Sequence, residues 1–353
     1  MRRAGIGFVC LITLAGRASG QEAPAAELRG SVVTVAGERV PHALVQLRPG
    51  FGERFTDQRG DFVFGPLPAG TYRLRVRQVG FAPFDTSLAL GAERLAIRVA
   101  LRPLAIELSA LTVTAAPSCA RALPVATAGG SALATLVGQI GENAKRFAVL
   151  ADSYPFRYGM ERTFVAYDAA GSVVWSAQDT ADYGSSGAVR YRPGGVVQWG
   201  PGPEGRVARV LNLPTLPDLA DSVFTATHCF FYGGIADADG RPLVWMQCLA
   251  AETLPRSDIE GEVGLDPRTY QIRRATVRLT HPGRAVPGLQ SASSTMWFGE
   301  LAPNIVVPIR VEGEQVPDLQ RRMSGGVARR SDVQRLISVR FQRALPDSTS
   351  PPD

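Results

Sequence analysis

Histidine, lysine and cysteine are scarce in this sequence. The chain has three histidines and four cysteines, and Lys145 is its only lysine. None of His42, His228 and His281 begins a His-x-x-Glu or His-Glu-x-x-His pattern, in which two zinc ligands share one turn of backbone. No Cys-x-x-Cys pair occurs either. These absences exclude the common zinc-peptidase and dithiol redox motifs, and we expect no metal, no cofactor and no enzymatic activity.

Basic residues are in modest excess and are not clustered. The formal net charge is +6, from 38 basic and 32 acidic residues. Arg2, Arg3 and Arg17 lie in a segment that we expect to be removed, which leaves a net charge of +3. Nucleic-acid binding requires a concentrated basic surface. The sequence therefore predicts no nucleic-acid partner.

Long apolar runs are missing after the N-terminus. The chain opens with Met1-Arg2-Arg3, an apolar run at residues 4–16, and small residues before a cut near Gly20. This order is typical of a cleaved signal peptide, and the run is shorter than a membrane span. We predict that residues 1–20 are a signal peptide. The mature chain is then exported, periplasmic or at the cell surface, and has no transmembrane segment.

Short alternating strands dominate residues 28–103. Apolar residues occupy every second position in two clear runs, Tyr72-x-Leu74-x-Val76 and Leu95-x-Ile97-x-Val99-x-Leu101. Alternation of this kind places one face of a strand on a core. Asp57 and Gly60 supply turn chemistry between two such runs. The pattern predicts a β-sandwich of the seven-stranded type.

The same segment resembles the carboxypeptidase regulatory-like domain. The residues that carry the resemblance are Gly30-x-Val32, Pro41-x-Ala43-x-Val45, Thr56-Asp57-x-x-Gly60-x-Phe62-x-Phe64, Leu67-x-x-Gly70-x-Tyr72-x-Leu74-x-Val76 and Gly80-Phe81. The resemblance implies a transthyretin-like sandwich that docks on carbohydrate or on a protein. It does not imply peptidase activity.

The second half of the chain is predicted to be a larger antiparallel β-rich domain with one packed helix. Apolar residues at helical spacing over residues 131–150 predict the helix, and Pro155 prevents its continuation. Strand patterns follow, including one over residues 221–232, with hairpin turns such as Asp237-Ala238-Asp239-Gly240 between them. We assign this domain to residues 119–345. Linkers are predicted at 21–27 and 104–118, and a disordered tail at 346–353.

This half resembles uncharacterised domains that follow regulatory-like modules in exported bacterial proteins. Thr227-His228-Cys229-Phe230 and the run from Asp258 to Asp266 carry the resemblance. It implies a disulfide between Cys119 and Cys229. A Cys229–Cys248 pair is the alternative, because both residues lie at similar distances from the turn at 237–240. The expected single-sheet layout also resembles the half-barrels of lipoprotein carriers.

The four tryptophans are the candidate ligand-binding residues. Trp175, Trp199, Trp245 and Trp297 all lie in predicted strands of the second domain. Exposed tryptophans would form a stacking platform for sugars or an apolar groove, and buried ones would belong to the core.

The sequence therefore predicts an exported, non-enzymatic binding or envelope-structural protein. Its sandwich would dock on a glycan or an envelope protein. Two alternatives remain open. One is a hydrolase with an unrecognised site in residues 119–345, which requires a buried carboxylate or histidine cluster lining a pocket. The other is a lipid- or lipoprotein-binding curved sheet, which requires an apolar cavity between sheet and helix.

Overall fold

A computed structural model describes residues 26–91, 93–104, 118–122, 131–185, 191–201, 207–211, 216–219, 221–302 and 305–343. The predicted signal peptide, most of the two predicted linkers and the predicted tail lie outside the described residues.

Seven strands at the N-terminal end form two facing sheets. They are β1 (Ala26–Thr34), β2 (Leu44–Arg48), β3 (Glu53–Phe55), β4 (Asp61–Leu67), β5 (Gly70–Arg77), β6 (Phe84–Leu90) and β7 (Leu95–Leu101). The sheet orders are β4-β1-β7 and β3-β2-β5-β6, and only β1 and β7 pair in parallel. This arrangement confirms the predicted seven-stranded sandwich.

The alternating residues of these strands form the sandwich core. Val45 and Leu74 from one sheet pack with Leu28 and Phe64 from the other, and all four are fully buried. The Asp57 carboxylate accepts hydrogen bonds from the backbone N–H groups that follow it in the β3–β4 turn. Local turn chemistry and period-two burial therefore explain this fold directly.

Nine strands in the rest of the chain form one antiparallel sheet, with the order β12-β13-β14-β15-β16-β17-β18-β8-β9. They are β8 (Phe156–Tyr167), β9 (Val173–Gly184), β12 (His228–Ala238), β13 (Arg241–Ala250), β14 (Ile259–Leu265), β15 (Ile272–Leu279), β16 (Leu289–Ala302), β17 (Ile305–Pro317) and β18 (Arg329–Phe341). A separate hairpin contains β10 (Val197–Pro201) and β11 (Val207–Leu211).

The helices are α1 (Ser131–Ser153), α2 (Leu216–Leu219), α3 (Ser222–Thr227), α4 (Pro282–Ala285) and α5 (Leu319–Gly325). The prediction of a strand over residues 221–232 is wrong for its first half, where the structure has α3. The Asp221 carboxylate accepts a hydrogen bond from the backbone N–H of Val223 and caps this helix. A capped turn of helix thus replaces the strand until β12 begins at His228.

Helix α1 lies between the sandwich and the nine-stranded sheet. On the sheet side, Leu136 and Ile140 belong to the same buried cluster as Met246 and Val263. On the sandwich side, Leu44 and Phe55 share a buried cluster with Val149 and Leu150. The helix is therefore held from both sides, and we call the sheet surface that faces it the inner face.

Candidate functional site

The four tryptophans do not come together. Trp175 on β9 is 39% exposed and Trp199 on β10 is 64% exposed, whereas Trp245 on β13 is buried. Trp245 and half-buried Trp297 lie in one cross-strand row, with Gly264 and Arg274 between them. This row is on the outer face of the sheet, which is the face turned away from α1, and two strands separate the two tryptophans. The structure therefore places these four side chains at four separate sites.

Trp297 is enclosed by charged neighbours. The guanidinium carbons of Arg274 and Arg310 lie 5.2 Å and 5.0 Å from its ring centroid. Its indole N–H donates to the Asp239 carboxylate at 3.0 Å. Cation–π contacts on the ring and a satisfied N–H stabilise the indole in place, so Trp297 has the contacts of a structural residue on the outer face.

An apolar cavity of about 250 Å³ lies between α1 and the inner face. Helix α1 contributes Phe147 and α2 contributes Leu219. The sheet supplies the rest of the lining, which is Phe156, Tyr158, Met160, Tyr183, Val263, Ala275, Val277, Met296, Phe298, Val307, Pro308, Val311, Gln334, Leu336 and Val339. Apart from the two tyrosine hydroxyls, Gln334 is the one polar side chain in this lining.

Strand register explains why the cavity is apolar. Met246, Val263, Ala275, Met296 and Val311 occupy successive positions of one cross-strand row. Residues directly opposite each other on paired strands point to the same face, so this row presents a continuous apolar surface to α1. The sheet therefore forms one wall of the cavity and the helix forms the other.

The row becomes polar as it continues toward the β9 edge. Gln334, Arg162 and Asp179 follow Val311 in register. Arg162 donates two hydrogen bonds to the Asp179 carboxylate, at 2.7 Å and 2.8 Å. Its third nitrogen is 3.5 Å from the hydroxyl of Tyr183, a cavity-lining residue. The apolar cavity thus adjoins a polar strip on the same face.

Two further polar residues lie in the neighbouring row of the inner face. Ser294, Gly313 and Asp332 are successive partners there. The Asp332 carboxylate accepts from the Gln334 amide at 3.2 Å, and burial raises the pKa of Asp332. We call Arg162, Asp179, Ser294, Asp332 and Gln334 the polar strip.

A buried cluster of ionisable groups surrounds His228 away from the cavity. The two ring nitrogens of His228 each lie 2.9 Å from a backbone carbonyl oxygen, of Phe224 and Ile259. The Tyr191 hydroxyl donates to the Asp258 carboxylate at 2.8 Å, and burial raises the pKa of Tyr191. His228 and Asp258 are fully buried, and neither they nor Tyr191 line the cavity. Their contacts are those of a structural network that joins α3, β12 and β14.

The cysteines form one bridge. Cys119 is bonded to Cys229, and the backbone N–H of Glu252 also donates to the Cys119 carbonyl oxygen at 2.8 Å. Cys248 is a buried free thiol whose pKa is raised by burial. The bridge thus attaches the segment around residue 119 to β12, the edge strand of the sheet.

No group of three or more histidine, cysteine, aspartate and glutamate side chains among the described residues is placed to hold a metal ion. No helix in the described part of the chain has the length and apolar character needed to cross a membrane.

Sequence reasoning did not identify the cavity-lining residues or the polar strip. The signal was present in the alternation of β15 and β16, since Ala275 and Val277 are two positions apart and so are Met296 and Phe298. Alternation alone does not say which face meets a helix and which meets solvent, because that depends on how distant strands pair.

A family model matches the sandwich. Residues 27–102 match the carboxypeptidase regulatory-like domain, which confirms the resemblance seen in the sequence. A comparison with curated proteins found no match.

Among solved structures, the chain is similar to a candidate outer membrane lipoprotein-sorting protein domain from Vibrio parahaemolyticus, with 13% identity, 60% of this chain and 95% of that chain covered, and a TM-score of 0.33. A LolA superfamily protein from Nitrosomonas europaea has 14% identity, the same two coverages and a TM-score of 0.30. A candidate carbohydrate-binding protein from Bacteroides uniformis has 19% identity and a TM-score of 0.20. The match covers 23% of this chain and 42% of that protein's length.

Proposed function

We propose that this chain is an exported, non-enzymatic binding protein that holds the apolar chain of a lipid, or of a lipidated protein, in the cavity between α1 and the inner face. The cavity itself supports the proposal most directly. Of its 17 lining residues only Gln334 and two tyrosines carry polar atoms in their side chains. An apolar site of about 250 Å³ favours a ligand that is itself apolar.

The position of the ionisable residues supports binding over hydrolysis. An acid–base site must meet its substrate. The buried histidine and carboxylate, His228 and Asp258, contact backbone groups and Tyr191 instead of the cavity. We therefore propose a binding protein without a catalytic step at this cavity.

The sandwich has a defined part in this proposal. Its four-stranded sheet contacts α1 through Leu44 and Phe55, so it positions the helix that closes the cavity. Docking on a glycan or an envelope protein, which the family resemblance implies, would use the opposite sheet, β4-β1-β7.

A chain-length series tests the proposal. Methyl esters from decanoate to stearate are titrated against a fluorescent polyene fatty acid bound to the full mature chain. Each buried methylene contributes about 0.8 kcal/mol, so we expect affinity to rise about fourfold per carbon until the cavity is full. Affinity that does not depend on chain length, or the absence of any probe binding, would contradict the proposal.

Two substitutions on the cavity wall should move the optimal chain length in opposite directions. Ala275→Leu adds volume inside the cavity and should weaken the longest ester by about tenfold. Met296→Ala enlarges the cavity and should shift the optimum to longer chains. The control is Thr276→Leu, next to Ala275 on the same strand but on the outer face, which should leave the series unchanged.

A further inference from the structure

Ser294 is a buried hydroxyl without a partner on the inner face. Its side chain is 5% exposed, and its Oγ has no hydrogen-bond partner among the residues that the structure describes. A buried polar group without a partner costs free energy, so its retention indicates a partner that the protein alone does not supply. In register, Ser294 lies opposite Val277, and Met296 is two residues along the same strand face. Since both neighbours line the cavity, Ser294 lies on the same face of the sheet, next to the cavity wall.

The Asp332 carboxylate lies over Gly313, which is the next residue to Ser294 in the row. Gly313 separates the two residues in the row, and a Cβ atom built on Gly313 would overlap the Asp332 carboxylate. A side chain at position 313 would therefore block the space between them. The absence of a side chain at Gly313 leaves Asp332 free to lie over it, toward Ser294.

The charges of the polar strip do not cancel. Arg162 donates from Nε and Nη2 to the two oxygens of the Asp179 carboxylate. The charges of these two residues therefore neutralise each other. Asp332 receives a hydrogen bond from the neutral amide of Gln334. On the other side of the row, Arg330 is exposed to solvent. The charge of Arg162 also lowers the pKa of Asp332, but burial raises that pKa by more. The strip therefore presents a carboxylate, a hydroxyl and an amide on the face of the sheet that adjoins the apolar cavity.

We infer that the polar strip is a head-group subsite for the ligand of the cavity, and that it selects lipids whose head group carries hydroxyl or amine donors over those with an anionic head group. Asp332 and the Ser294 Oγ would accept hydrogen bonds from the head group. Gln334 belongs to the strip and also lines the cavity, so it connects the two. An anionic head group would meet the Asp332 carboxylate, while the Arg162 guanidinium is already paired. The inference rests on the proposed function, since the same ligand places its chain in the cavity.

The test compares three lipids that share one acyl chain. Monooleoylglycerol carries hydroxyl donors, methyl oleate carries none, and oleate is an anion. Each is titrated against the fluorescent probe on the full mature chain. We expect monooleoylglycerol to bind at least about tenfold more tightly than either of the others, the size of effect expected for hydrogen bonds to a charged acceptor. Equal affinity for all three, or tighter binding of oleate, would overturn the inference.

Three variants locate the effect. Asp332→Asn and Ser294→Ala should each reduce the preference for monooleoylglycerol by about fivefold or more, while leaving the affinity for methyl oleate unchanged. The control is Asp182→Asn, on the outer face of the edge strand β9, which should have no effect. Circular dichroism confirms that each variant is folded, and the unchanged affinity for methyl oleate confirms an intact cavity.

Failure of the inference differs from failure of the proposed function. If methyl oleate binds with the expected chain-length dependence but head groups are not distinguished, only the head-group subsite is wrong. If none of the three lipids displaces the probe, the apolar-chain proposal itself is wrong.

Discussion

At the scale of single residues, the most informative position is Asp332. Its carboxylate is partly buried on the inner face and receives one hydrogen bond from Gln334. Burial raises its pKa more than Gln334 and Arg162 lower it. A partly buried carboxylate reduces the stability of the folded protein at neutral pH, because burial disfavours its charged form. Binding sites commonly contain residues that reduce stability in this way.

The raised pKa of Asp332 predicts a pH-dependent gain of stability on substitution. The folded state favours the protonated form of Asp332. The stabilising contribution of this proton to the free energy of unfolding is fully present below the pKa of the unfolded chain, about 3.9, and is lost as the pH rises through the pKa of the folded state. We therefore expect Asp332→Asn to melt at a higher temperature than the wild type at pH 7. The difference should shrink as the pH is lowered toward about 4. Thermal melts of both proteins over this range test the prediction, and a difference that does not change with pH would contradict it.

Residue types were readable from the sequence, but their surroundings were not. The tryptophans were identified as candidate ligand contacts, yet Trp245 is buried and Trp297 lies between two arginines on the outer face. The sequence did not identify Ser294 and Asp332 as site residues, because a serine or an aspartate in a strand is usually solvated. Their proximity depends on the pairing of β16, β17 and β18, which only the folded sheet establishes.

At the scale of elements, α1 carries a residue that is unfavourable for a helix. Gly138 lies within the helix, and a Cβ atom built there would meet no other atom within 4 Å. Glycine inside a helix loses more backbone entropy on folding than alanine does. The position is therefore open to a stabilising substitution.

We expect Gly138→Ala to raise the free energy of unfolding by about 0.5–1 kcal/mol. The contrasting variant is Gly261→Ala in β14, where the new Cβ would overlap the carbonyl oxygen of Thr276 on the adjacent strand. Gly261→Ala should destabilise the protein. Urea unfolding of the two variants measures both changes, and destabilisation by Gly138→Ala would show that α1 is packed more closely at that position.

Elements were predicted well where a local rule governed them. The period of 3.6 residues and Pro155 located α1, and alternation with Asp57–Gly60 turn chemistry located the sandwich strands. The strand predicted over residues 221–232 failed because apolar residues such as Val223 and Phe224 suit either state. The Asp221 cap decided for a helix there.

At the scale of the whole molecule, the sandwich and the sheet are joined through α1. The Arg146 side chain is buried in this contact and donates to the carbonyl oxygens of His42 and Arg77 and to the Gln78 side chain. Desolvation lowers the pKa of Arg146 to about 10, so it remains charged at neutral pH. Arg77 adds an ion pair with Glu142 of the helix, at 2.8 Å.

These contacts predict that the described parts unfold together. Calorimetry of the mature chain should give one transition, and Arg146→Ala should reduce the free energy of unfolding by about 3 kcal/mol or more, because it leaves buried oxygens without donors. The control is Lys145→Ala, which removes a partly exposed ion pair with Glu53 and should cost less than about 1 kcal/mol. Two separate transitions in the wild type would show that the sandwich unfolds on its own.

The sequence by itself determined the sandwich, the long helix, the antiparallel character of the second half and the resemblance to a regulatory-like domain. Those features depend on periodicity and turns between neighbouring residues, which can be read locally. Only the tertiary structure decided that α1 is held between the sandwich and the sheet, that an apolar cavity remains beneath it, and that Ser294 and Asp332 lie beside that cavity. These features arise from the register between strands far apart in the chain, and a shift of one residue would turn every one of those side chains to the other face.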